Sequence, residues 1–523
     1  MNESLQLLDL YPERGMYKPG ELVRMFLEYE AQTAGTYTFT LMIFRGVELL
    51  KSHSETRALD AGRSKVDFTC QTPLDAPAGY GVEIRYEDAQ LETTFDVLSD
   101  WTTFPRYGFV CDFTSARSDA EETIQTLAKY HLNGLQFYDW QYRHDELVPP
   151  QDEYLDPLNR PQSLKSTKAL IKAAHAHGMA AMPYLAIYAA SAAFWRAHPE
   201  WMLYDADHQP IPFGEDFLGI MNPAAGSLWQ QHLLAQCQNV LKHLPFDGLH
   251  IDQYGEPKTG FDEKGQPVDI PQAFSDFVTA AANQHPGRPV LFNAVGNWPI
   301  EKLAASPTTF NYIEVWPPDT AYTDLVRIVR NARSLSGEKP VVIALYLPAE
   351  RTVNNLLADA LINSAGGTRI ELGENGRLLS DPYFPKHEAI PVELNSALRH
   401  WADCVIRYEE WFGPLISESA IKGLKVPVGV QSFFRKTKKG ASLSLVNLRS
   451  ETALEWNTEH AAPDALEAFE VEIALGKALK KVWLVDLQSP SLAPIALDFK
   501  VQGGKTTVTL PGLCIWSLIL FES

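Results

Sequence analysis

The chain predicts a multidomain protein in which a central (β/α)8 TIM barrel is flanked by an N-terminal immunoglobulin-like β-sandwich and a C-terminal antiparallel β-domain. Three observations carry that expectation. At 523 residues the chain exceeds the size at which a single hydrophobic core stops growing. Both of its ends alternate apolar and polar residues with a period of two, the mark of half-buried strands. Between them, short apolar stretches alternate eight times with longer amphipathic ones over roughly 300 residues, which suits a barrel better than a doubly wound sheet.

Residues 1–98 hold the runs ELVRMFLEYEA, GTYTFTLMIF and YGVEIRYEDA, separated by Gly, Pro and Asp turns, and form the first domain. The segment SDWTTFPR leads into the second, residues 99–412. Its eight strands read RYGFVCDF, NGLQFYDW, MAAMPYLAIY, FDGLHIDQY, RPVLFNAV, FNYIEVW, PVVIALY and GTRIEL. Helical runs separate them, the clearest being DAEETIQTLAKYH, STKALIKAAHAHG, GSLWQQHLLAQCQNVLKHL, IPQAFSDFVTAAANQ, TDLVRIVRNARSLS and VNNLLADALINSA. Each has an apolar face at helical spacing, and VELNSALRHWADCVIRYEEWF closes the set. Over residues 413–523 the strand rhythm returns, in VGVQSFFRKTKKGASLSLVNL, KKVWLVDL and KTTVTLPGLCIWSLILFE, as the third domain.

Hydrophobic residues make up 45% of the chain and charged residues 21%, the proportions of a folded globular protein. A formal charge of −20 argues against a nucleic-acid partner, because phosphate backbones are held by clustered Lys and Arg. A neutral substrate meets no such repulsion. Cys70, Cys111, Cys237, Cys404 and Cys514 are widely spaced without a C-x-x-C pair and read as buried free thiols. The best apolar run, MAAMPYLAIYAA, is too short to span a bilayer, so no membrane is expected. The opening MNESLQLLDLYPERG lacks the basic and apolar regions of a signal peptide. The expected compartment is the cytoplasm if nothing precedes Met1, and the outside of the cell if a leader has been removed. No metalloprotease, Walker A, nucleophile-elbow or dinucleotide motif is present, and no metal or cofactor is expected.

In such a barrel the active site lies at the C-terminal ends of the strands, and several strands here end in a carboxylate. Asp112 closes the first, Asp139 the second, Asp252 the fourth and Glu314 the sixth. Asp252 follows an apolar strand directly and precedes a glycine-containing turn. Glu314 follows Phe310, Tyr312 and Ile313, in a strand too apolar to welcome an unpaired charge, and burial there raises its pKa unless an Arg or Lys keeps it ionised. Alternate strands of a barrel send side chains into one layer, so Asp252 and Glu314 face one cleft, and two such carboxyl groups are the apparatus of glycoside hydrolysis. Trp140, Tyr142, His144, Asp145, Tyr184, Tyr188, Asn222, Tyr254 and Trp316, with Asp139 and Asp112, are the candidate sugar-binding rim. The alternative for each is a loop residue that caps a helix or bonds the backbone.

The segments NGLQFYDWQYRHD, FDGLHIDQYGE, NYIEVWP and SDPYFPKHE, in this order between two β-rich ends, resemble glycoside hydrolase family 66, the dextranases and cycloisomaltooligosaccharide glucanotransferases. The resemblance covers nearly the whole chain. It implies that Asp252 is the nucleophile, Glu314 the acid/base, and Asp139 a carboxylate that binds the reacting glucosyl unit. It also implies an α-1,6-glucan, dextran or isomalto-oligosaccharide, as substrate, cleaved with retention. Cyclising members carry a module of about 100 residues inside the barrel, for which the β-α units here leave no room, so the resemblance favours hydrolysis with possible transglycosylation over cyclisation. A non-catalytic glucan-binding protein is the reading from another class, and the presence of both carboxylates argues against it.

Overall fold

The computed structural model describes residues 5–523 except positions 74, 371, 451 and 477. Position 371, inside the expected strand GTRIEL, and residues 1–4 of the stretch read for a signal peptide lie outside the described residues. One 11-stranded sheet forms the centre of the molecule and curls through eight parallel strands in chain order. They are β1 (Tyr107–Val110), β2 (Gly134–Phe137), β3 (Ala180–Ala186), β4 (Leu249–Asp252), β5 (Val290–Val295), β6 (Asn311–Glu314), β7 (Val341–Ala344) and β8 (Gly367–Ile370). Each falls within one of the eight apolar stretches. β1 pairs with β2 on one edge, and Gly373, just past β8, pairs in parallel with Phe109 of β1, so the sheet curls back until its ends meet.

A helix follows every one of these strands, from Ala120–Ala128 after β1 to Val392–Arg407 after β8. The strands are apolar because helices cover their outer face, and β3, β7 and β8 are buried along their whole length. Several helices begin where a side chain satisfies an unpaired first-turn amide: Ser227 accepts from the Gln230 N–H at 3.0 Å and Asp269 from the Gln272 N–H at 3.1 Å. The helix after β5, Ile300–Ala305, has no counterpart in the sequence reading, since its six residues are too few to display a period.

Inside the curl, the Tyr107 hydroxyl lies 3.0 Å from His250 Nδ1, and the His250 ring meets Tyr312 edge-on at 4.7 Å. Burial pushes His250 down to about 3, so this layer carries no charge. Two residues further along the same strands stand Asp252 and Glu314, because strand side chains repeat with a period of two.

Before β1, seven strands build two antiparallel sheets of three and four strands around Val23, Leu27, Phe39 and Phe68. After helix Val392–Arg407, sheets of five and three strands enclose Leu443, Val471, Val508 and Ile519. Arg45 bonds Glu410 at 2.8 Å and Thr94 donates to Asp403 at 2.8 Å, tying the first sheets to the chain beyond β8. Four cysteines are buried as expected, but Cys514 is exposed, in the turn that leads into the last strand, Trp516–Glu522. No helix among the described residues is long and apolar enough to cross a membrane.

Candidate active site

Three neighbouring strands deliver the central groups: Asp252 ends β4, Asn293 lies in β5 and Glu314 ends β6. Asn293 Nδ2 donates to Asp252 Oδ1 at 2.9 Å and to Glu314 Oε2 at 2.6 Å. An amide nitrogen carries two hydrogens, one for each acceptor, and the two oxygens therefore stand no more than about 5.5 Å apart. Asp252 Oδ1 also accepts the Gln253 backbone N–H at 2.9 Å, and its Oδ2 accepts the Tyr184 hydroxyl at 3.0 Å. Glu314 Oε1 accepts the Trp316 indole N–H at 2.9 Å, with Tyr346 as a further donor.

The two environments differ in what they do to the charge. Burial pushes Glu314 up to about 7, the neighbouring charge of Asp252 adds to this, and the Asn293, Trp316 and Tyr346 donors oppose it. Burial raises Asp252 to about 6, held back by Gln253, Asn293 and Tyr184, which bond its ionised form. Asp252 is therefore the more readily ionised of the pair.

Asp139 follows β2 in a left-handed conformation (φ 56°), which Asp tolerates better than most residues. Arg160 Nη2 donates to its Oδ2 at 3.0 Å, while Arg160 Nε donates to Asp156 at 2.6 Å. Asp156 in turn accepts the Leu158 and Arg160 backbone N–H groups at 2.9 and 2.8 Å and so holds the turn that presents Arg160. Burial pushes Asp139 up to about 7, and Arg160, shared with Asp156, reverses this only in part.

These groups line a cavity of about 640 Å³, a size that suits a small ligand. Among the rim candidates, Asp139, His144, Tyr184, Tyr188, Tyr254 and Trp316 line it beside Asp252 and Glu314. The others lie elsewhere. Trp140 is fully buried, donates to the Tyr184 carbonyl at 3.2 Å and packs on Phe246. Tyr142 packs edge-on against Tyr154. Asp112 accepts the Thr114 N–H at 3.0 Å, Asp145 the Ser191 N–H at 2.6 Å and Asn222 the Ala224 N–H at 3.0 Å, the backbone-bonding role common to such side chains.

Asn293, Tyr346, Arg160, Phe213 and Tyr383 line the cavity without having been singled out in the sequence. Asn293 carried a signal, as the one polar residue in the apolar stretch VLFNAV, where a buried amide needs partners. Arg160 and Phe213 sit in hairpins whose return to the cavity no local pattern announces.

Paired carboxyl groups on one cavity at the ends of parallel strands are the arrangement that glycoside hydrolases use. The model of glycosyl hydrolase family 66 matches residues 12–520, and the chain belongs to that family. A cycloisomaltooligosaccharide glucanotransferase of Niallia circulans is 26% identical over 437 residues, covering 77% of this chain and 45% of the relative. A dextranase of Streptococcus salivarius is 21% identical over 561 residues, covering 85% of this chain and 67% of the dextranase. The chain spans less than half the length of the curated glucanotransferases it matches. The crystal structure of a Paenibacillus sp. cycloisomaltooligosaccharide glucanotransferase complexed with cycloisomaltoheptaose matches with a TM-score of 0.91 at 20% identity, covering 98% of this chain and 99% of that one, and shares the fold.

Proposed function

We propose that this chain hydrolyses α-1,6-glucosidic linkages of dextran or isomalto-oligosaccharides from within the glucan, with retention of configuration. The observation that carries the mechanism is the Asn293 bridge. Its bound of about 5.5 Å on the carboxyl oxygens agrees with the ~5–5.5 Å at which one carboxylate attacks the anomeric carbon itself, whereas inversion needs about 6.5–9.5 Å to admit a water. Asp252, whose ionised form is favoured by its three donors, attacks the anomeric carbon, and Glu314, still partly protonated near pH 7, gives its proton to the leaving oxygen. In the second step Glu314, now a carboxylate, takes a proton from water as that water attacks the glucosyl-enzyme. A sugar hydroxyl in place of water gives transglycosylation. Asp139, supported by Arg160, binds the reacting glucosyl unit in this reading, and the substrate class follows the names of the Streptococcus and Niallia relatives.

The scaffold in this proposal is a (β/α)8 TIM barrel over residues 99–412, between an immunoglobulin-like sandwich over 1–98 and a β-domain over 413–523. Apolar cores around Phe39 and Leu443 within the flanking segments support the division, while the central core around Phe137 also takes in Leu98 and Trp516, where the flanking segments pack on it. Cyclisation is the second reading, favoured by the names of the glucanotransferase relatives. Against it, the longest connection between barrel strands, from Ala186 to Leu249, is filled by helix Leu228–His243 and short strands, leaving no place for an inserted module of about 100 residues. Proton NMR of the first product released from dextran tests the proposal. The α anomer and a ladder of linear oligosaccharides are expected; an initial β anomer overturns retention, and mainly cyclic products give the chain to the second reading.

A further inference from the structure

We propose that the hairpin carrying Phe213 forms a glucosyl-binding subsite on the β3–β4 side of the cavity, adjacent to the reacting unit, and that it governs the preference for longer chains; this rests on the proposed function. The strand Pro212–Phe213 pairs with Leu218–Ile220, which pairs with Ala189–Ser191 just beyond β3. The hairpin is thus anchored to the strand whose Tyr184 bonds Asp252. Its turn is tight, with Gly214 and Asp216 at φ 77° and 52°, the left-handed region that glycine adopts freely.

Phe213 and Phe217 both line the cavity, and Phe213 is 37% exposed there. The Phe213 ring rests on Tyr188 at 5.3 Å, and Tyr188 meets Tyr254 edge-on at 5.3 Å, so three rings make one continuous wall. Tyr188 and Tyr254 are buried, and the Tyr254 hydroxyl has no hydrogen-bond partner among the described residues. That hydroxyl is sealed within the wall, so the surface the wall offers a ligand is its aromatic faces, above all the exposed Phe213 ring. Glu314, Trp316 and Tyr346, by contrast, come from β6 and the end of β7, across the cavity.

The wall carries no ionised group, which selects a neutral ligand. A glucopyranose ring has apolar C–H faces, and the exposed phenyl face of Phe213 receives one of them. Every α-1,6 linkage contains an exocyclic methylene, so neighbouring units rotate freely, and a unit away from the reacting one is ordered only where the protein grips it.

The test compares wild type, Phe213→Ala and Phe213→Trp on isomalto-oligosaccharides of two to six units and on dextran. Phe213→Ala is expected to lower kcat/KM on the longest substrates roughly tenfold, mainly through KM, while the shortest substrate that is cleaved changes less than about twofold. Phe213→Trp, which keeps an aromatic face, restores the long-chain preference. An equal loss at every length, or none at any, overturns the subsite. Equal melting temperatures establish that the variants fold, which the exposed position of the ring favours. If wild type releases no sugar from any α-1,6-glucan, the proposed function fails, and calorimetric titration with isomaltohexaose reads the subsite separately. There, roughly tenfold weaker binding by Phe213→Ala supports it, and equal affinities or no binding by either protein overturns it.

Discussion

Asp252 Oδ1 and Glu314 Oε2 accept hydrogen bonds from the same nitrogen, Nδ2 of Asn293, at 2.9 and 2.6 Å. One residue on the intervening strand therefore holds both the separation of the pair and the balance of charge between them. Asn293→Ala is expected to lower kcat by roughly two orders of magnitude with little change in KM, as for loss of a preorganised donor. Asn293→Asp adds a third carboxyl group, whose charge raises Glu314 further and moves the alkaline limb of the pH profile upward. Steady-state kinetics across pH check both, and an Asn293→Ala enzyme within about twofold of wild type at every pH removes the positioning role.

The proposed roles of the two carboxyl groups are unequal, and their variants should differ. Asp252→Ala is expected to abolish turnover on every substrate, by a factor of about 10⁴ or more. Glu314→Ala should lose about 10²–10⁴ on dextran yet retain glycosylation by an aryl α-glucoside with an activated leaving group, if it is accepted, because that group needs no proton. Azide should accelerate Glu314→Ala and yield the α-glucosyl azide through a second inversion. Recovery of the β-azide from that variant reverses the assignment.

The pH profile follows from the two raised groups. Activity needs Asp252 ionised and Glu314 protonated, so kcat/KM should fall below about 6 as Asp252 gains a proton and above about 7 as Glu314 loses its own. Trp316 donates to Glu314 Oε1 and holds its pKa down. Trp316→Phe should move the alkaline limb upward by about one pH unit or less and leave the acid limb in place. A downward shift of that limb contradicts the assignment of Glu314 as the acid.

Stability carries the same signature. Glu314 titrates in the ordinary range near 4.3 when the chain is unfolded, but near 7 in the fold, so stability present below the first value is lost as pH rises through the second. Glu314→Gln cannot ionise and escapes that loss. Its melting temperature should match wild type at pH 4 and exceed it by a few degrees at pH 8. Melts at the two pH values check this, and a gap that opens on the acid side instead shows that the carboxyl is not raised by burial.

The eight parallel strands were legible in the sequence because length, apolarity and turn residues are local properties, and each strand falls in its expected stretch. Asp252 and Glu314 were legible for the same reason: a carboxyl group at the end of an apolar strand is out of place in its own neighbourhood. Helix Ile300–Ala305 escaped because fewer than two turns show no period. Tertiary structure alone decided the rest. It set Asn293 between the two carboxyl groups, brought Arg160 from a distant turn onto Asp139, and returned Phe213 to the cavity wall. It also turned Trp140 into the core and left Asp112, Asp145 and Asn222 bonding backbone amides. A hydrogen bond or ring contact depends on which residues other strands and loops bring within about 3–5 Å, and that proximity arises from closure of the whole sheet, whereas sequence periodicity reports only the face on which a residue stands.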